Sequence, residues 1–232
     1  MIFNTAIKGK VGYFIHPNSK LPLFLFQAPE KINQNEVNCP AVATLNNRIF
    51  GIKPLLSVDL EFGVQKNIKD ELEPYIKYEL DPNVYRDQPL LHEWINQIII
   101  IDMHDSKATI QFQSMYVYAT DVKDLEIIQL PPHKNNFENC YFINGAFNIS
   151  KWTRALSGSY MQIDNTKPAK VKLNLNDYFY NIMFSKPIKL EEIKPNKNTL
   201  LYYSRISDIA NTYNKIKKVI PRIVKHRPKK LL

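Results

Sequence analysis

Residues 140–193 have the sequence CYFINGAFNISKWTRALSGSYMQIDNTKPAKVKLNLNDYFYNIMFSKPIKLEEI, and this stretch decides the fold class. β-branched and aromatic residues recur at alternate positions within it, and each run stops at residues typical of turns. Residues 171–173 alternate cleanly, and the run at residues 178–184 ends at Ser-Lys-Pro. The stretch therefore predicts a ladder of short strands.

The pair Asn144-Gly145 is typical of a hairpin turn in which both residues have positive φ. It predicts that residues 141–143 pair with a returning strand at residues 146–152. In the first half of the chain, residues 56–64 place apolar side chains at every second position, which also predicts a strand. These patterns together predict a mainly β protein, built as a two-sheet antiparallel sandwich or a flattened barrel.

A proline-rich segment interrupts the strand pattern. Residues 66–94 contain Pro74, Pro82 and Pro89 and many charged residues, which excludes a long helix. We predict an irregular excursion across one sheet face, followed by a buried strand at residues 94–101.

Composition limits the class of protein. The chain has 232 residues, 44% of them hydrophobic, and only 6 glycines, which favours a globular core over a disordered or fibrous chain. Its longest apolar runs are much shorter than the roughly 20 residues that cross a bilayer, and residues 1–10 lack the pattern of a signal peptide. Cys39 and Cys140 lack metal-ligand spacing, so we expect reduced, buried thiols and an intracellular protein.

Three short stretches resemble one group of proteins. They are CPA at residues 39–41, NGAFNISKWTR at residues 144–154 and NDYFY at residues 176–180. On these residues the chain, from about Cys39 to Ile193, resembles uncharacterised proteins from tailed phages of marine bacteria. The resemblance implies a viral setting, in the host cytoplasm or the virion, and carries over no functional residue.

The C-terminal end has a different character. Residues 199–220 predict a helix, because Ile209, Tyr213, Ile216 and Ile220 fall on one face of it. We therefore divide the chain into a single β-rich body at 1–198 and a C-terminal amphipathic helix with a basic tail at 199–232.

The basic tail carries most of the net charge. Beyond Asp208 the chain has no acidic residue, and subtracting eight basic residues from the formal net charge of +9 leaves about +1 for the rest. We predict that these eight residues bind a partner: Lys215, Lys217, Lys218, Arg222, Lys225, Arg227, Lys229 and Lys230.

Such a tail allows several kinds of partner. It could dock on a protein partner or on a second copy of the chain, bind nucleic acid through phosphate groups, or lie on an anionic membrane surface. A solvated tail that improves solubility is the simplest interpretation. No base-reading motif accompanies the charges, so we favour a protein partner or homo-oligomer over nucleic acid, and nucleic acid over a membrane surface.

Catalytic motifs are scarce. The sequence has neither a glycine-rich phosphate loop nor a G-x-S-x-G elbow, and its five histidines are scattered. Asp102, His104 and Asp105 form the tightest cluster, and a β-barrel metal site could combine His104 and Asp105 with His133. The simpler interpretation of this cluster is a polar hairpin tip, and we predict no metal and no cofactor.

Two further groups have simple structural interpretations. Alternation places Asp59 and Glu61 on the solvent face of their strand. The aromatic residues could form a stacking platform for bases or sugars, but packing between sheets explains them better. They are Trp152, Tyr178, Phe179, Tyr180 and Phe184.

We conclude from the sequence that the leading hypothesis is a non-enzymatic phage binding or assembly protein, whose β scaffold presents a basic C-terminal helix to a partner. The alternative is a metal-dependent enzyme with a β-barrel site near His104.

Overall fold

The computed structural model describes residues 9–32, 45, 47–80, 90–132, 134 and 137–210, without the side chains of 91 and 205–210. The described strands are β1 (Lys10–Ile15), β2 (Glu30–Lys31), β3 (Ile49–Ile52), β4 (Val58–Lys66), β5 (Leu72–Leu80), β6 (Ile99–His104), β7 (Lys107–Thr120), β8 (Glu126–Leu130), β9 (Phe137–Glu138), β10 (Cys140–Phe142), β11 (Ala146–Asn148), β12 (Arg154–Gln162), β13 (Ala169–Leu173), β14 (Tyr180–Phe184) and β15 (Lys189–Glu192). The described helices are α1 (Leu91–Ile98) and α2 (Lys197–Ala210).

Sheet A is built around β7. β12 pairs along one edge of β7, while β6 pairs with residues 107–112 and β1 with residues 116–120 along the other. Met115 lies between these two partners with φ 59°, and the register with β12 shifts nearby, between Ala155 and Ser157. β10 extends the sheet beyond β12, and β15 extends it beyond β1 as a parallel pair.

Two further sheets complete the described body. Sheet B has the order β11-β8-β14-β3-β2, and sheet C has the order β5-β4-β13-β9. All strand pairs in these two sheets are antiparallel. None of the sheets formed by the described residues closes into a barrel.

One apolar core joins the three sheets. Tyr118 of β7, Phe184 of β14 and Phe62 of β4 are fully buried in the same cluster. The ring of Phe142 in sheet A lies 5.3 Å from that of Tyr160 and 6.1 Å from that of Tyr180 in sheet B. Burying a large apolar side chain stabilises a fold by about 1.5–3 kcal/mol, so this shared core holds the sheets together.

The two helices cover different parts of sheet A. α1 buries Trp94, Ile95 and Ile98 in a smaller cluster that includes Met115. α2 packs Tyr203 on the outer face of sheet A, in a cluster with Phe14, Val117 and Ala119. Its first turn is capped by Asn196, whose Oδ1 accepts a hydrogen bond from the Thr199 N–H at 2.9 Å. Within the described part of the chain, neither helix is long and apolar enough to cross a membrane.

The prediction of a mainly β protein is confirmed. Residues 56–64 correspond to β4, residues 171–173 lie in β13, and residues 178–184 contain β14. Cys140 is a buried free thiol, and burial raises its pKa to about 12. Cys39 and the predicted helical residues 211–220 lie outside the described residues.

The predicted excursion at residues 66–94 is wrong in its central part, because Leu72–Leu80 forms β5. β5 is the edge strand of sheet C, where Pro74 can be accommodated without disrupting the ladder. The strand predicted at residues 94–101 is wrong at its start, because a helix runs to Ile98 and strand β6 begins at Ile99.

The hairpin predicted at Asn144-Gly145 is also wrong. β10 pairs with β12 in sheet A, whereas β11 pairs with β8 in sheet B, so the chain changes sheets at this point. Gly145 does not have positive φ. It is instead a close-approach position, since an added Cβ would lie 2.7 Å from the Phe147 ring.

We predict opposite effects for two buried tyrosine-to-phenylalanine substitutions. The Tyr160 hydroxyl donates a hydrogen bond to the Phe179 carbonyl at 2.9 Å, so Tyr160→Phe should lower the free energy of unfolding by about 1–2 kcal/mol. The buried Tyr118 hydroxyl has no partner among the described residues, so Tyr118→Phe should be neutral or stabilising. Urea denaturation of both variants checks this, and equal losses would contradict it.

Candidate binding face on sheet C

The residues that the sequence predicted for partner binding, from Lys215 to Lys230, lie outside the described residues. Their role therefore stays a prediction. The described part of the chain offers a different charged surface, which the sequence only partly indicated.

The cluster near His104 lies at a hairpin tip. β6 ends at His104 and β7 begins at Lys107, and the His104 and Asp105 side chains are 73% and 87% exposed. Asp102 accepts a hydrogen bond from the Met103 N–H at 2.8 Å. In the ranges that the structure describes, no three His, Cys, Asp or Glu side chains could hold a metal ion together, and His133 is outside those ranges.

Three of the five aromatic residues pack inside the protein, as the simpler interpretation predicted, whereas Trp152 and Tyr178 are only partly buried. Tyr180 and Phe184 are fully buried, and Phe179 is 4% exposed. Phe179 and Tyr180 meet edge to face with their ring centroids 4.4 Å apart. These three rings are therefore not accessible as a stacking platform.

Charged residues occupy the outward face of sheet C. In β4, Leu60 and Phe62 point into the core while Asp59 is exposed and Glu61 is half-buried, as the alternation predicted. In β13, Lys170 and Lys172 are exposed between buried Ala169, Val171 and Leu173. Lys77 and Glu79 of β5 are exposed, and so is Glu138 of β9.

The strand register arranges these side chains in two rows across the sheet. One row runs Glu79, Asp59, Lys172, and the other runs Lys77, Glu61, Lys170, Glu138. The seven residues form what we call the charged face. With four carboxylates and three lysines, its formal charge is −1, whereas the whole chain carries +9.

Two lysines of the charged face are neutralised within it. Lys172 Nζ lies 2.8 Å from Asp59 Oδ2, and this hydrogen bond raises the pKa of Lys172. Lys77 Nζ lies 3.5 Å from Glu61 Oε1. Cross-strand pairs of this kind fix the positions of the charged groups while contributing little to stability.

Three members of the face are left over. Among the residues that the structure describes, Glu79, Glu138 and Lys170 form no ion pair. Glu79 also lies directly opposite Asp59, and like charges at opposed positions destabilise a sheet. A positively charged group placed between Asp59 and Glu79 would relieve this repulsion.

Gly63 and Tyr75 shape one end of the face. They are directly opposite each other, and an added Cβ at Gly63 would lie 3.0 Å from the Tyr75 ring. Burial raises the pKa of Tyr75, and the neighbouring Glu61 carboxylate adds to this shift. Lys77 Nζ lies 5.3 Å from the Tyr75 ring centroid, so the ring helps to position the ammonium group.

The charged face surrounds an open cleft of about 510 Å³. Its lining also includes Leu60, Tyr78, Phe137 and Val171. A second cleft of about 240 Å³ shares Asp59, Glu79 and Lys172 with the first. Together the clefts provide a polar groove across sheet C.

The sequence indicates only part of this face. Alternation predicts Asp59 and Glu61 on a solvent face, whereas Lys77 and Glu79 fall in the segment predicted to be irregular. The signal that could have found β5 is the alternation of Ile76, Tyr78 and Leu80 with charged residues, which matches the period of β4.

Comparisons with protein-family models, curated proteins and solved structures find nothing that matches this chain.

We predict that Glu79→Lys stabilises the protein. The substitution replaces the carboxylate opposite Asp59 with an opposite charge, which should raise the free energy of unfolding by about 0.2–1 kcal/mol. Added salt should reduce the gain. Chemical denaturation at two salt concentrations measures both effects.

Glu73→Lys is the matched control, because Glu73 lies on the same strand opposite the uncharged Gln65. It should give no gain, since its substitution also removes the hydrogen bond from Gln65 Nε2 to Glu73 Oε1 at 3.0 Å. A gain of the same size in the control would show that opposed carboxylates are not the cause.

Proposed function

We propose that this protein is a non-enzymatic assembly protein, in which the basic C-terminal segment of one copy binds the charged face on sheet C of another copy. The body serves as a rigid β-sandwich scaffold that holds the face and presents the segment. The observation that carries the proposal is the acidic bias of the charged face on a strongly basic chain.

The unpaired carboxylates give the face its attraction for a basic segment. Glu79 and Glu138 lie on the two edge strands of sheet C and in different rows. Three strand spacings, or about 14 Å, separate them across the sheet, with a further offset along the strands. Beyond Asp208 the basic tail carries eight basic side chains and no acidic side chain. Two basic side chains of the tail can therefore neutralise the two free carboxylates, and a salt-dependent attraction should bring the copies together.

The chemistry of the cleft favours a polar segment over an apolar ligand. Small-molecule pockets are mostly apolar with a few polar groups, whereas charged side chains from all four strands line this cleft. A hydrated, ion-pairing interface with a basic polar segment fits such a lining better.

The contact between tail and face is heterologous, since it joins two different surfaces. Such a contact forms a ring when the rotation between copies closes and a filament when it does not. Either product is an assembly. The viral setting implied by the resemblance remains a prediction beside this proposal.

Sedimentation velocity of the full chain over a range of protein concentrations tests the proposal. We expect concentration-dependent assembly at low salt, reduced at least tenfold in apparent association constant at high salt because exposed charges are screened. A variant ending at Ala210 should remain monomeric. So should the Glu79→Lys/Glu138→Lys double variant, while Glu73→Lys should assemble like the unmodified chain.

Titration with a synthetic peptide of residues 209–232 shows whether the tail binds the charged face of another copy, the charged face of its own chain or another surface. The peptide should bind the variant that ends at Ala210 and lose at least tenfold in affinity against the Glu79→Lys/Glu138→Lys form of that variant. If the full chain stays monomeric at all concentrations while the peptide binds in this way, the tail docks within its own chain and the assembly proposal fails. If the double substitution leaves the affinity for the peptide unchanged, the contact lies elsewhere and the assembly proposal is also wrong.

A further inference from the structure

A second site lies between sheets A and B, at Arg154. This residue is the first of β12, and its side chain is partly buried. The guanidinium carbon lies 4.0 Å from the centroid of the Phe147 ring and 4.5 Å from that of Trp152. Two aromatic faces thus hold the cation in a fixed position by cation–π attraction.

The arginine has more donors than acceptors. Its Nε donates a hydrogen bond to the Ala155 carbonyl at 3.2 Å. A guanidinium has four further N–H groups on its terminal nitrogens, and these find no acceptor among the described residues. No carboxylate of the described chain lies within ion-pair distance of Arg154, and burial lowers the pKa of its guanidinium.

The neighbouring indole of Trp152 also has an N–H donor without an acceptor. Trp152 Nε1 is buried and has no hydrogen-bond partner among the described residues. A buried N–H group without an acceptor costs about 1–3 kcal/mol, so native proteins usually supply one. Two unmatched donor groups, one of them charged, therefore share one small region.

An oxyanion would supply the hydrogen-bond acceptor that both donor groups lack. Carboxylate and phosphate groups accept two parallel hydrogen bonds from a guanidinium, and aromatic rings beside the cation leave its N–H edge free for such contact. A nearby indole N–H can donate to the same anion. Lys151, which is exposed one residue before Trp152, adds long-range attraction for negative charge.

We propose that Arg154 and Trp152, backed by Phe147, form an oxyanion site for a carboxylate or phosphate group. The site lies on different sheets from the charged face and does not depend on the proposed assembly. It recognises the two-oxygen edge of the anion, so it accepts a partner's carboxylate side chain and free inorganic phosphate by the same geometry.

The indole N–H resonances of the full chain provide a direct test, because the protein has only two tryptophans. Trp94 belongs to α1, is buried in the cluster beneath that helix and serves as an internal control. We expect sodium phosphate, and separately sodium acetate, to shift the Trp152 indole signal with a saturable curve while the Trp94 signal stays fixed. Sodium chloride at equal ionic strength should move neither, and Trp152→Phe assigns the signals.

Variants identify the residue that holds the anion. Arg154→Lys keeps the charge but loses the planar fork, so the affinity for phosphate should fall at least tenfold. Lys151→Gln should change the affinity less than threefold. A response to phosphate alone identifies a phosphate site, and responses to both anions identify a general oxyanion site that a carboxylate side chain can also fill.

Three outcomes overturn the proposal. The first is a Trp152 signal that does not respond to either anion, and the second is an equal response to chloride. The third is a Trp152 signal that responds to neither anion in the wild-type chain but responds in Asp208→Asn. That result would mean that the Asp208 carboxylate fills the site in the wild-type chain. All three can be read from the wild-type chain or from Asp208→Asn, so a failure of Arg154→Lys to fold leaves the test intact.

Discussion

The length of β7 is the constraint on which the rest of the structure depends. This strand spans 14 residues, and three strands pair with it. Because β6 and β1 divide one of its edges at Met115, the two halves of sheet A can turn toward different neighbours. One half supports the cluster beneath α1, and the other carries α2 on its outer face.

The shared core determines where the charged face lies relative to β7. β4 and β13 direct Leu60 and Val171 into the same cluster that buries the inner face of β7. The opposite faces of those strands must then point to solvent, because side chains alternate along a strand. The charged residues are therefore held by core packing, and their rows are as rigid as the sheet beneath them.

The sequence alone predicted those strands that alternation identifies without knowledge of their pairing partners. The alternation in residues 56–64 and 171–173 identified two strands of sheet C and the solvent exposure of Asp59. The sequence-based predictions failed where a residue has a role in the fold that differs from its usual one. Pro74 is tolerated because β5 is an edge strand, so it was a misleading sign of irregular structure. Gly145 is needed for close approach to Phe147, so it was a misleading turn signal. The charged face could not be predicted, since its rows depend on the register between strands that are far apart in sequence.

The parallel pairing of β1 with β15 has a consequence for biosynthesis. A ribosome releases β1 long before β15, so the newly made β1 keeps at least one open edge until β15 has been made. Such an edge can pair with a neighbouring nascent chain, and non-local pairing of this kind also slows folding. The time between the emergence of these two strands is therefore the period in which the chain is most exposed to mispairing.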